Sequence, residues 1–146
     1  MKTRLVADSG ISPKAVSELY SAILKDIFNL LTDIVGSRRS QLYISYAPLG
    51  FDAEVQSLFG NGIEISYFPQ VGQNVGERIV YAFDRAFKDG NSSAILIFGD
   101  QPGLSKSLIL SACEVIDSKA GRNEQHIVLG PTHDGGTYLI GLRVRR

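Results

Sequence analysis

Five short apolar runs alternate with longer segments whose apolar residues recur at helical spacing, and this alternation leaves few folds open to the chain. Residues 41–47, 63–68, 94–98, 126–129 and 137–142 read as strands, rich in Ile, Val, Leu, Tyr and Phe and bounded by Gly, Pro, Asn or Asp. Strands alternating with helices build an α/β sandwich around a mostly parallel sheet. Runs 94–98 and 126–129 are continuously apolar, the pattern of strands buried on both faces.

The intervening segments carry helix signals. Ser12 followed by Pro13 is a capping hydroxyl before a proline at the first helical position. Val16, Leu19, Tyr20, Ile23, Leu24, Ile27, Phe28, Leu31, Ile34 and Val35 then follow as a wide stripe suited to lying flat on a sheet. Gly36 is expected to end that helix. Residues 52–59 predict a short helix after the Pro48-Leu49-Gly50 turn, and Gly60-Asn61-Gly62 predicts the next turn. A third helix carries Ile79, Val80, Ala82, Phe83, Ala86 and Phe87 and stops at Asp89-Gly90. Ser105 predicts the cap of a fourth, running to about Lys119, before a loop at 121–124.

The chain of 146 residues is long enough for one domain with one core. Its formal net charge of zero predicts no bulk attraction to nucleic acid or to an anionic membrane. The lone Cys113 cannot form an intrachain disulfide and sits among apolar residues, so it reads as a small core residue. No run is long enough to span a bilayer and no signal peptide opens the chain, which predicts a cytoplasmic location. His126 and His133 lack the spacing of a metal pair.

Two loops carry the chemistry. Gly130-Pro131-Thr132-His133-Asp134-Gly135-Gly136-Thr137-Tyr138 places one carboxylate beside paired glycines, where a backbone can approach a ligand closely. Phe98-Gly99-Asp100-Gln101-Pro102-Gly103 repeats that design after another strand. In open α/β sheets, ligands bind outside the carboxyl ends of the strands. Asp100 could ligate a hard cation that also holds a diphosphate, or could cap the coming turn. Asp134 could hold a sugar hydroxyl or a cation, or belong to an Asp-Gly hairpin turn. Lys2, Thr3 and Arg4 could grip phosphates or solvate a terminus. Gly76-Glu77-Arg78 opens a helix, where free N–H groups favour anions, and Arg78 could instead pair with Glu77 or Asp84. There is no nucleophile elbow and no GxxxxGK[ST] loop, which favours direct displacement.

At Lys2-Thr3-Arg4-Leu5, Val75-Gly76-Glu77-Arg78-Ile79, Gly99-Asp100-Gln101-Pro102-Gly103-Leu104 and Asp134-Gly135-Gly136-Thr137-Tyr138 the chain resembles the DUF2064 family of glycosyltransferase-like proteins. The resemblance implies a three-layer Rossmann-like domain of GT-A (nucleotide-diphospho-sugar transferase) type over residues 1–146, truncated relative to the family. The usual first strand, expected at the centre of the sheet, and the usual C-terminal portion are missing. Asn74 stands where the family usually has Asp.

By the same resemblance the function is that of a glycosyltransferase using a nucleotide-activated sugar with Mg²⁺ or Mn²⁺. Asp100 would be the metal aspartate, and Asp100 and Asp134 the catalytic pair. Lys2, Thr3, Arg4, Gly76, Glu77, Arg78, Gly135, Gly136 and Tyr138 would contact substrate. Two alternatives accompany this reading: a nucleotidyltransferase acting on a nucleoside triphosphate, and a non-catalytic module that associates through an exposed sheet edge, for example as a homodimer.

Overall fold

The computed structural model describes residues 10–59, 64–117 and 125–144. Among these residues four helices and five strands follow one another as α1 (Pro13–Arg38), β1 (Leu42–Tyr46), α2 (Asp52–Phe59), β2 (Ile65–Pro69), α3 (Val75–Lys88), β3 (Ser93–Ile97), α4 (Lys106–Asp117), β4 (His126–Pro131) and β5 (Thr137–Arg143). The expected elements are all present, with ends moved by a few residues. The Gly60-Asn61-Gly62 turn and the 121–124 loop lie outside the described residues.

Helix α1 starts as its sequence dictates: the Ser12 hydroxyl accepts the Ala15 N–H at 3.3 Å and Pro13 occupies the first turn. It does not end at Gly36. A helical glycine costs only about 1 kcal/mol, and the extra turn lets Arg38 reach Asp117 of α4 at 3.0 Å. Arg39 then closes the helix in the left-handed region at φ 54°.

The strands form two sheets. β1 and β2 pair in parallel, and β3, β5 and β4 lie in that order, antiparallel throughout. The mostly parallel sheet expected from the alternation is therefore corrected to a mixed one. The cause is the short link between β4 and β5. Thr132 N–H donates to the Gly136 carbonyl at 3.0 Å and Gly135 N–H to the Thr132 carbonyl at 3.1 Å, so the chain reverses within one turn. β5 folds back on β4 and inserts beside β3.

β1 and β2 run the same way, and the heads of β1 and β3 lie together. Asn91, two residues before β3, donates to the Gln41 side chain at 3.1 Å and to the Tyr43 hydroxyl at 3.0 Å, at the start of β1. Ser93 at the head of β3 shares Asp117 with Arg38, which just precedes β1. A cavity lined by β1 and β3 separates the two sheets, and across this gap the described strands stand in the order β2, β1, gap, β3, β5, β4. The chain moves outward from β1 to β2 and returns through α3 to the far side of the gap.

Helices α1, α2 and α4 form one layer, with Phe28 of α1 against Phe59 of α2 at a ring distance of 4.8 Å. Alternation along β1 turns Leu42 and Tyr46, both buried, toward that layer. Tyr43 turns the other way, where Phe68 of β2 meets Tyr81 of α3. The core centres on Val16 and Ile34 of α1, Ile109 and Ile116 of α4, and Leu139 of β5.

Two expectations of burial fail. β3 is half-buried along its whole length because one of its edges faces the gap. On β4, Ile127 is 68% and Leu129 61% exposed, since α4 covers the other face of that sheet.

Candidate functional site

The reversal between β2 and β3 is a topological switch point, and in open α/β sheets the crevice outside the strands' carboxyl ends at such a point is where ligands bind. Four loops surround that end here: 47–51 after β1, 70–74 after β2, 98–105 after β3, and the 132–136 turn, whose strand β5 runs antiparallel to β3. Phe98 N–H donates to the Tyr138 carbonyl at 3.4 Å, which puts Asp100 and the Asp134 turn at the same end of adjacent strands.

Asp100 is exposed in the turn after β3. Its approach brings Gly99 close to α1, where a Cβ would stand 2.8 Å from Leu24 Cδ2 and that side chain would have to shift. Asp134 is also exposed, and its carboxylate is tied into its own turn. It accepts from the Thr132 hydroxyl and, at 3.2 Å, from Gly136 N–H. The Thr132 hydroxyl first, and then the Gly136 N–H, hold the Asp134 carboxyl below the usual carboxylate range. Gly135 adopts φ +84°, the left-handed value that an Asp-Gly turn needs. Tyr138 covers Gly130, where a Cβ would stand 2.5 Å from its ring.

The start of α3 is organised around Asn74. Its side-chain oxygen accepts Glu77 N–H at 2.9 Å, while its Nδ2 donates to Glu77 Oε1 at 2.8 Å. Glu77 Oε2 accepts Gln73 N–H at 2.7 Å, completing a reciprocal cap. Both Glu77 oxygens are thus engaged within the cap. Arg78 Nε donates to the Gly72 carbonyl at 3.1 Å. Asp84, the other partner expected of Arg78, is 2.6 Å from Lys88. Lys2, Thr3 and Arg4 lie outside the described residues.

Two features of this end escaped the sequence reading. Gly72 sits at φ +136°, where a Cβ would fall 2.6 Å from Glu77 Cβ, so this glycine lets the 70–74 loop fold onto the head of α3. Its place two residues before a capping Asn was the available signal. Tyr46, read only as a strand former, donates its hydroxyl to Asp52 at the start of α2. That bond, followed by burial and the Asp52 charge, pushes the Tyr46 phenol up to about 12. No local pattern marks the pair, because a strand and a helix must first be brought together.

Below the crevice a cavity of about 520 Å³ fills the gap between β1 and β3. Cys113 of α4 lines it, and burial pushes the thiol up from its usual value, which suits a packing residue rather than a nucleophile. Among the described residues no group of three or more His, Cys, Asp or Glu side chains could hold a metal. Asp100 thus offers one hard oxygen ligand and no protein cage. Among the same residues no helix is long and apolar enough to cross a membrane.

The described residues form an α/β fold whose sheets are mixed parallel and antiparallel. The structure is similar to the crystal structure of a "putative nucleotide-diphospho-sugar transferase" from Desulfovibrio desulfuricans G20, with 26% sequence identity and a TM-score of 0.80. The likeness covers 98% of this chain and 57% of that one, so the chain spans little more than half the length of that relative. A comparison with curated proteins finds no match. The chain belongs to the DUF2064 family, "uncharacterized protein conserved in bacteria", whose model matches residues 30–146. The match leaves out Lys2, Thr3 and Arg4.

Proposed function

We propose that this chain binds a nucleotide-activated sugar through its diphosphate and serves transfer of the sugar to an acceptor, as a GT-A-type glycosyltransferase. The observation that carries the reading is the likeness over 98% of the chain to a protein described in those terms. The position of Asp100 supports it. Mg²⁺ is commonly held by one or two carboxylates together with substrate phosphates rather than by an all-protein cage. An exposed aspartate at a strand's carboxyl end fits that arrangement, with Mn²⁺ as the other candidate. When bound, the cation would balance charge on the departing diphosphate.

The chain's own groups then divide the remaining work. Gly76, at the opening turn of α3, would lie beside the diphosphate, with Glu77 N–H already taken by the Asn74 cap, and Arg78, which lines the cavity, adds fixed positive charge. Lys2, Thr3 and Arg4 would hold the phosphates. Gly135, Gly136 and Tyr138 would border the acceptor. Asp134, held ionised by its turn, suits orientation of an acceptor hydroxyl better than removal of its proton, because a base of lowered pKa is a weak one. One observation favours a second reading, a non-catalytic binding module: among the described residues β1 and β3 belong to separate sheets, with a cavity between them beneath the crevice.

The test is thermal unfolding with a panel of nucleotide sugars and nucleoside triphosphates, with and without Mg²⁺ or Mn²⁺. A ligand at a hundred times its Kd should stabilise the protein by about 2.7 kcal/mol. The stabilisation should need the metal and be lost in Asp100→Asn. If no nucleotide stabilises the chain, or if Asp100→Asn responds as the unmutated protein does, the transferase reading fails. Stabilisation by triphosphates alone would move it to nucleotidyl transfer.

A further inference from the structure

On the transferase reading above, we infer that His133, at the tip of the turn joining β4 to β5, is the general base that takes the proton from the acceptor. The carboxylates at this end of the sheet are committed or lie elsewhere. Asp134 accepts both the Thr132 hydroxyl and Gly136 N–H on Oδ1, which makes it a weak base. Both oxygens of Glu77 are held in the α3 cap. Asp52 takes the Tyr46 hydroxyl, and it and Glu54 begin α2, across the gap beside β1. Asp100 is the ligand of the cation in the same reading. His133 is exposed, and its imidazole makes no hydrogen bond or ion pair among the described residues. Imidazole is the side chain most often used to remove a proton near neutral pH.

Register brings His133 to the crevice. β3 and β5 pair as far as Ile97 with Leu139, and Phe98 N–H still donates to the Tyr138 carbonyl at 3.4 Å. Asp100 therefore leaves its strand near the level of Gly136. The bond from Gly135 N–H to the Thr132 carbonyl makes His133 and Asp134 the central residues of a tight turn just beyond that level. With adjacent strands about 5 Å apart and about 3.4 Å gained per residue, the backbones of Asp100 and His133 stand on the order of 10 Å apart. Such a spacing spans a metal-bound phosphate and the sugar ring it carries. The corner is also fixed. Thr132 N–H donates to the Gly136 carbonyl at 3.0 Å, and the Asp134 carboxylate ties both ends of the turn, so His133 is held in place before any acceptor arrives.

An imidazole nitrogen of His133 takes the acceptor's hydroxyl proton while that oxygen bonds to the anomeric carbon. The bond from this carbon to the diphosphate oxygen breaks, and its electron pair leaves on the nucleoside diphosphate. The imidazolium then gives its proton to water. Attack and departure on opposite faces invert the configuration of the carbon.

The experiment uses the whole chain with UDP-glucose or GDP-mannose, Mn²⁺, and water as the acceptor, and reads release of the nucleoside diphosphate. His133→Ala should bind the donor and unfold at the same temperature as the original. It should release diphosphate at least about 100-fold more slowly, and added imidazole should restore part of the loss. The chain's two histidines allow a second measurement. Mn²⁺ broadens the proton signals near it, and His126 stands at the far end of β4, about 17 Å from Pro131 along the strand. With donor and Mn²⁺ the ring signals of His133 should broaden and those of His126 should not, an effect lost in Asp100→Asn. These signals decide the matter where release is too slow to read.

Unchanged release from His133→Ala, a loss that imidazole leaves untouched, or broadening of both rings alike or of neither would overturn the inference. Where a donor stabilises the unmutated chain against heat, any of these results removes His133 alone. Where no donor does so with or without metal, the transferase reading itself falls, and the base falls with it.

Discussion

Substituting Gly141→Ala tests how tightly α4 is seated on the antiparallel sheet. Gly141 lies on β5 opposite Ile95 and Val128, facing Ile116, which is 1% exposed. A Cβ at 141 would overlap the Ile116 Cδ1 methyl and come within 3.4 Å of Ile116 Cγ1 and Val128 Cβ. Ile116 must then leave its rotamer or α4 must lift. Overpacking of this kind costs about 1–3 kcal/mol. The loss of a flexible glycine from the unfolded chain returns about 0.4–1 kcal/mol. A net destabilisation of about 1–2 kcal/mol remains, equivalent to a Tm lower by about 3–8 °C in a domain of this size.

Ile116→Val removes the offending methyl and by itself costs about 0.5–1.5 kcal/mol. Combined, the two changes should be less harmful than their sum by at least about 0.5 kcal/mol. Urea denaturation of the four proteins, with m-values held in common, measures the cycle. Strict additivity, or a Gly141→Ala protein as stable as the original, would show that α4 does not rest on Gly141 through this methyl.

Three further outcomes are expected. Asn74→Ala should destabilise the fold by about 1 kcal/mol through the lost helix cap, while Asn74→Ser, which keeps an acceptor, should lose much less; equal losses would remove the cap as the reason. Thr132→Val should raise the Asp134 pKa toward the ordinary carboxylate value near 3.9, as read by NMR titration of its side-chain carbon. Because the folded-state value is the depressed one, the carboxylate's contribution is present above the unfolded pKa and fades as pH falls through the folded value. The stability gap between Thr132→Val and the original should therefore close in acid, and a gap independent of pH would refute the assignment.

Local signals in the sequence carried the elements. Ser12-Pro13 started α1, Asp89-Gly90 stopped α3, and Ser105 capped α4, its hydroxyl accepting Leu108 N–H at 3.2 Å. Each is a contact within one turn of chain, so its meaning survives without knowledge of the fold. Asp100 and Asp134 could likewise be placed at strand ends from their neighbours alone. That both strand ends lie at one end of one sheet depended on the pairing of β3 with β5.

Pairing, in turn, was the step that local patterns could not decide. The run 94–98 reads as fully buried because its residues are apolar, yet burial belongs to the neighbours, and among the described residues β3 pairs along one edge and lines a cavity with the other. The 126–129 run fails for the same reason, with one face of β4 under α4 and the other in solvent. Asn74 and Glu77 also took their roles from geometry: their side chains reciprocate across one helical turn and are thereby engaged in the cap.

By itself the amino-acid order determined where this chain bends, where it is helical, and which residues stand at the mouths of its strands, because those are matters of hydrophobic period and capping over a few residues. Only the tertiary structure decided that β5 lies between β3 and β4, that the strand pairing is mixed, and that β1 and β3 line one cavity. Strand partnership is a long-range choice set by which edges and faces can be buried together, and no window of sequence contains both partners.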